Sequence, residues 1–166
     1  LFIALLALAT SAFCASAQVL SFDQARQRAD NGDAFAQAVV ALHYQLGWNT
    51  QKNPDLAAKY AIASAEAGHP LGQFRLGALL RAGEGVQKDE KKGLALQAAS
   101  FNSLYEAQDP YSITSAAIMI FQGKVVGQHA PEDERRRDAA ALYKKAAAMG
   151  YAPAQFNYAM ALNDGH

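Results

Sequence analysis

Cysteine is almost missing from this chain. One residue, Cys14, stands among 166, and a lone thiol forms no intrachain disulfide, so a disulfide framework is excluded. An excess of either charge is missing too. Lys plus Arg number 15 and Asp plus Glu number 15, for a formal net charge of zero. A nucleic-acid binder or a polybasic membrane binder needs clustered positive charge, so neither partner is expected. Charged residues make up only 18% of the sequence against 51% apolar, which supplies a core and excludes disorder. The four histidines, His43, His69, His129 and His166, have no His or Cys at i+3 or i+4. The spacing of a metal site is therefore absent, and no metal or cofactor is expected. H-E-x-x-H, G-x-S-x-G, S-x-x-K, the P-loop and G-x-G-x-x-G are absent as well, and no catalytic residue can be nominated.

Alanine, by contrast, fills 37 positions. It is the strongest helix former and lets helices approach closely. All charged residues lie from Asp23 onward. The uncharged opening, Leu1-Phe2-Ile3-Ala4-Leu5-Leu6-Ala7-Leu8-Ala9, reads as the apolar region of a secretory signal. Ala15-Ser16-Ala17 supplies an A-x-A cleavage site, which assigns 1–17 to a signal peptide and the protein to an exported, periplasmic or secreted location. With no initiator Met and no positive flank, the N-terminus reads as truncated. An uncleaved N-terminal anchor is the alternative, but the apolar run falls short of the roughly 20 residues that span a bilayer. Cleavage after Ala17 would remove Cys14.

Self-similarity organises the rest. Gly32-Asp33-Ala34-Phe35-Ala36-Gln37, Gly68-His69-Pro70-Leu71-Gly72-Gln73 and Gly150-Tyr151-Ala152-Pro153-Ala154-Gln155 begin alike, and each is followed by a glycine 15 positions after its first. A degenerate copy fits between the last two, with Pro110 and Ser112 at the small positions, Gly123 at its close, and insertions near 102–108 and 124–130. The division is a capping helix at 18–31, repeats at 32–67, 68–107 and 108–149, and a partial repeat at 150–166. Each repeat reads as two antiparallel helices, which makes the fold all-α. First helices are expected near 33–46, 70–82, 110–122 and 152–163, and second helices near 54–67, 90–103 and 131–149.

Proline placement supports that division. Pro54, Pro70, Pro110, Pro131 and Pro153 all fall in an expected first turn, where a missing N–H costs nothing. Asn53, Asp109, Asp33 and Asp89 are N-cap candidates. Gly47, Gly68, Gly83, Gly123 and Gly150 stand where glycine ends a helix. Gly72 and Gly77 fall inside a helix, where the other copies carry alanine, and small residues there would let the paired helix approach. Val40, Leu76, Ala116 and Tyr158 share one expected core position, and Tyr44, Leu80, Ile120 and Leu162 another. The run 132–138 reads as a solvated helix face, with Asp133 and Glu134 able to pair with Arg137. The partner helix that would cover Ala154, Tyr158 and Leu162 is not in the sequence, so the array reads as cut short at its C-terminal end.

The pattern G-x-A-x-A-Q followed by a second-helix signature such as Leu142-Tyr143-Lys144-Lys145-Ala146-Ala147 resembles the Sel-one-like repeat (SLR), a relative of the tetratricopeptide repeat. Gly83, Gly85-Val86 and Asp89 match its inter-helix loop. The resemblance covers roughly 32–165 and departs from the pattern at 104–130. It implies a right-handed α-solenoid that acts as a non-enzymatic adaptor for a protein or peptide partner, often in an envelope or secretory compartment. One cysteine-rich branch of the family is penicillin-binding or hydrolytic, but a mature protein without cysteine argues against that branch. A structural spacer within a longer envelope protein is a further reading.

At about 100° per residue, positions 3, 6, 10, 13 and 14 after each opening glycine form one stripe. It holds Phe35, Leu42, Gln45 and Leu46, then Leu71, Phe74 and Arg81, then Tyr111, Thr114, Ile118 and Phe121, and finally Phe156, Met160 and Asn163. In a tetratricopeptide-like array this stripe faces a concave groove. Its apolar character suits an apolar peptide segment or partner helix. The alternative is that tight superhelical winding buries these side chains against neighbouring first helices. Trp48, just past the first helix, is either a rim anchor or a loop plug.

Overall fold

The computed structural model describes residues 19–125 and 130–163. The expected signal segment, Cys14, His129 and His166 lie outside the described residues. Among the described residues there are eight helices and no strand: α1 (Phe22–Asp30), α2 (Ala34–Leu46), α3 (Pro54–Glu66), α4 (Pro70–Ala82), α5 (Glu90–Glu106), α6 (Pro110–Phe121), α7 (Glu132–Ala148) and α8 (Ala152–Asn163). The fold is an all-α solenoid of antiparallel helix pairs. Each helix packs on the next in sequence, and the first helices also stack on one another, α2 on α4, α4 on α6 and α6 on α8.

Local chemistry sets the helix starts. The carboxylates of Asp33, Asp89 and Asp109 and the amide oxygen of Asn53 each accept a hydrogen bond from the backbone N–H three residues on. These bonds satisfy donors that a helix N-terminus leaves unpaired. Pro54, Pro70 and Pro110 open their helices. Pro131 departs from the expected pattern, because it stands just before α7 with ψ of 154° and offers no capping hydrogen bond. Glu132, Asp133 and Glu134 occupy that first turn and suit its dipole instead. The ion pair that forms there joins Glu132 to Arg136, not the expected pairs with Arg137. Gly47 and Gly83 end α2 and α4 in the left-handed conformation, at φ of 75° and 73°.

Small residues bring the pairs together. A β-carbon on Gly77 would lie 2.7 Å from the Gly93 carbonyl oxygen, so α4 and α5 approach backbone to backbone. Ala36, Ala41, Ala117 and Ala154 are buried at the matching positions. α5 runs past its expected end at 103 to Glu106, because Phe101 and Leu104 continue its buried face. That turn absorbs most of the expected insertion. In the first three repeats Val40, Tyr44, Leu80, Ala116 and Ile120 are buried as expected, while Leu76 is only half-buried. At the last helix Tyr158 is half-buried against the core, and Leu162 fails, at 54% exposed. Only α6 and α7 pack substantially on α8, so its far end has no cover among the described residues.

A pair of hydrogen bonds crosses the array. The Tyr111 hydroxyl on α6 accepts from Leu20 N–H at 2.9 Å and donates to the Leu20 carbonyl at 3.2 Å. Burial pushes the pKa of that hydroxyl up to about 12.

Candidate functional site

Stacking of the first helices divides the apolar stripe in two. Leu42, Leu71, Phe74, Tyr111 and Thr114 are buried. Phe35 is half-buried, with its ring against those of His69 and Tyr111. Gln45 is half-buried and Leu46 exposed. Arg81 turns toward α5, where its Nη1 donates to Gln97 Oε1 at 3.0 Å. Phe121 is exposed with the Arg136 guanidinium 5.6 Å from its ring centroid. Ile118 is half-buried, and Phe156, Met160 and Asn163 are exposed.

Where the four first helices converge, the structure leaves a cleft of about 690 Å³. From α2 and the loop after it come Leu42, Leu46, Gly47, Trp48 and Asn49. α4 gives Arg75, and α6 gives Thr114 and Ile118. Tyr151, Ala152, Pro153, Phe156 and Asn157 close it from the α8 side. Of the expected stripe, the cleft gathers Leu42, Leu46, Thr114, Ile118 and Phe156. It does not take in Phe35, Gln45, Leu71, Phe74, Arg81, Tyr111, Phe121 or Met160.

The loop that carries Trp48 is held from within. His43 Nδ1 donates to the Trp48 carbonyl at 2.8 Å, and Trp48 N–H donates to the His43 carbonyl at 3.1 Å. Gly47 and Asn49 both take positive φ, which glycine and asparagine tolerate. Trp48 is thereby set on the wall of the cleft and remains more than a third exposed.

Arg75 is the lone charged side group of the lining. Its Nη2 donates to Ser115 Oγ at 3.1 Å, and Ser115 Oγ in turn donates to the Tyr111 carbonyl at 2.8 Å. Its guanidinium sits 5.1 Å from the Phe74 ring centroid. Burial lowers its pKa, and the neighbouring Tyr151 opposes that shift, yet an arginine remains cationic at neutral pH. Tyr151 is buried against Tyr111 with ring centroids 4.6 Å apart. Burial drives its hydroxyl far above the usual range, and Arg75 pulls the other way.

The sequence reasoning missed Arg75, Tyr151 and Asn157. Arg75 lies seven residues after Gly68, at about 340° on the same wheel, beside the edge of the stripe. Ser115 and Asn157 hold the same repeat position in later copies. A lone arginine in a column of otherwise uncharged residues was the available signal.

The lining holds no carboxylate and no imidazole, and no group of residues suited to a metal ion exists among the described residues. The cleft offers a ligand apolar walls, side-chain amides and one positive charge.

Among solved structures, a Sel1 repeat protein from Oxalobacter formigenes is 24% identical, in a match covering 82% of this sequence and 37% of that one at a TM-score of 0.44. A protective antigen present in uropathogenic Escherichia coli strains, displaying an SLR fold, is 22% identical, with 82% and 27% covered and a TM-score of 0.45. The protein thus spans about a third of the length of these solved structures. No curated protein matches it. The family model of the Sel1 repeat matches residues 34–69, 70–96, 115–151 and 152–166. Those matches take in more than half of the sequence, and the chain belongs to the Sel1 repeat family.

Proposed function

We propose that this protein is an exported, non-enzymatic scaffold that holds a protein or peptide partner in the cleft between its first helices. Sel1 repeat proteins generally mediate protein–protein interaction and are typically non-catalytic. The observation that carries the reading is the cleft itself: about 690 Å³, walled by side chains from all four first helices, largely apolar and open to Trp48 and Phe156 at its rim. A repeat array builds such a surface by stacking alone, and an apolar groove with exposed aromatic edges suits an apolar peptide segment.

A peptide library selected on the purified protein tests this. Selected peptides should bind wild type and lose about tenfold or more on the double variant Trp48→Ala/Phe156→Ala, with the melting temperature unchanged. Peptides that bind both proteins equally would place the contact elsewhere. The export half of the proposal rests on the apolar segment and A-x-A site at 1–17. Protein recovered from a secreting host should begin at Gln18, and a product that stays whole inside the cell would overturn it.

A further inference from the structure

Arg75 is placed at a cost that the fold repays only in part, through one hydrogen bond and the Phe74 ring beside its guanidinium. It is 8% exposed, in the middle of α4. A guanidinium carries five N–H donors, and only Nη2 has a hydrogen-bond partner among the described residues. Nε is fully buried without a partner. The ion pairs of the described residues join Arg26 to Asp30, Arg28 to Asp33, Lys52 to Glu84 and Glu132 to Arg136, and none takes in Arg75. A buried charge lacking a counter-ion is destabilising, and an apolar side group of similar volume would serve packing as well or better. The charge sits instead on the wall of a cleft whose other walls are uncharged.

We propose that Arg75 is the recognition point for one carboxylate of a bound peptide segment, whose neighbouring apolar residue packs on Ile118 and Phe156. This rests on the reading of the cleft as a peptide site and adds the chemistry of its occupant. The planar guanidinium matches a carboxylate in a forked pair. With one cation in the lining, a monoanion is neutralised, whereas a phosphate dianion would leave net charge against apolar walls. The cleft is far larger than a carboxylate, so most of its contact falls to the apolar part of the ligand. The carboxylate comes from a peptide's free C-terminus or from an Asp or Glu within it, which the experiment separates.

Trp48 is the single tryptophan of the sequence and lines the cleft, so its fluorescence reports occupancy directly. The probes are N-acetyl-Leu-Phe as the free acid, N-acetyl-Leu-Phe-amide and N-acetyl-Leu-Asp-amide, titrated to millimolar concentration into the full-length protein. At least one acid should bind about tenfold more tightly than the uncharged amide. The stronger of the two acids identifies the source of the carboxylate. In Arg75→Gln, with helicity checked by circular dichroism, that preference should fall to within about twofold. Equal binding of acids and amide to wild type overturns the assignment and leaves the peptide-binding reading standing. So does a preference that survives in folded Arg75→Gln. No response to any probe also overturns it, and the library selection then decides separately whether the cleft takes peptides at all. The wild-type comparison needs no variant, so a misfolded Arg75→Gln would not rescue the proposal.

Discussion

Phe74 and Phe156 stand at the same place in their repeats, six residues after the opening glycine, and meet opposite fates. Phe74 is 3% exposed and Phe156 66%. Ala38 and Thr114, at that place in the other two repeats, are buried like Phe74. The difference lies in what stacks on each helix. α4 sits between α2 and α6, while α8 has α6 on one side and no described helix on the other. A repeat position in a solenoid therefore has no fixed environment: the same residue is core where first helices stack on both sides and exposed where, among the described residues, only one does.

The strongest way to break this comparison is Phe74→Ala. If Phe74 is core, truncation should cost about 3–5 kcal/mol of stability, read by denaturant unfolding. A loss below about 1 kcal/mol would move Phe74 to the open side. Next comes Gly77→Phe, on the α4 face that meets α5. The new ring has nowhere to go beside the Gly93 carbonyl, so overpacking should cost about 1–3 kcal/mol or more. Wild-type thermal stability in that variant would mean that the α4–α5 approach is wrong.

A smaller effect distinguishes the start of α4. His69 caps this helix, its Nδ1 accepting from Leu71 N–H at 3.2 Å, which requires an unprotonated Nδ1. Burial holds its pKa below the ordinary 6.5, against the opposing pull of Asp109 and Asp33. The unfolded state then takes up the proton more readily, so the contribution is complete above about 6.5 and is lost as the pH falls below it. Asparagine caps without titrating. Between about pH 7.5 and about pH 5.5, the melting temperature of wild type should fall more than that of His69→Asn. Parallel curves would remove the histidine from the cap. The smallest expected change is the stability of Phe156→Ala, within about 0.5 kcal/mol of wild type. A large loss there would make Phe156 core and dissolve the contrast with Phe74.

Much of the fold was legible because it is local. A carboxylate or amide three residues before a backbone N–H, a proline at the first turn and a glycine at the last announce a helix without reference to anything distant, and Asp33, Asn53, Asp89 and Asp109 all cap as expected. Pro131 misled by one residue, since its ψ of 154° leaves it just before the helix rather than in the first turn. The stripe was legible as a face but not as a site. Its angle on the helix follows from sequence, while the rotation from one repeat to the next does not, and that rotation decides whether Leu71 and Tyr111 are covered. The cleft depends on four helices meeting, so Leu42, Ile118 and Phe156 belong to it and Met160 does not. Arg75 escaped because apolar residues defined the face, and the charge beside its edge was outside the definition.

The double hydrogen bond between Tyr111 and Leu20 has a consequence for how the array comes apart. In a solenoid each unit normally touches only its neighbours, and unfolding can run inward from either end. Here the stretch before α1 is bonded to α6, 91 positions away. Freeing the approach to α1 must break a bond to the third repeat, and loss of α6 releases that approach. The first described helix and α6 are thermodynamically latched, so the stretch from α1 to α6 should melt as one cooperative unit rather than unzip repeat by repeat.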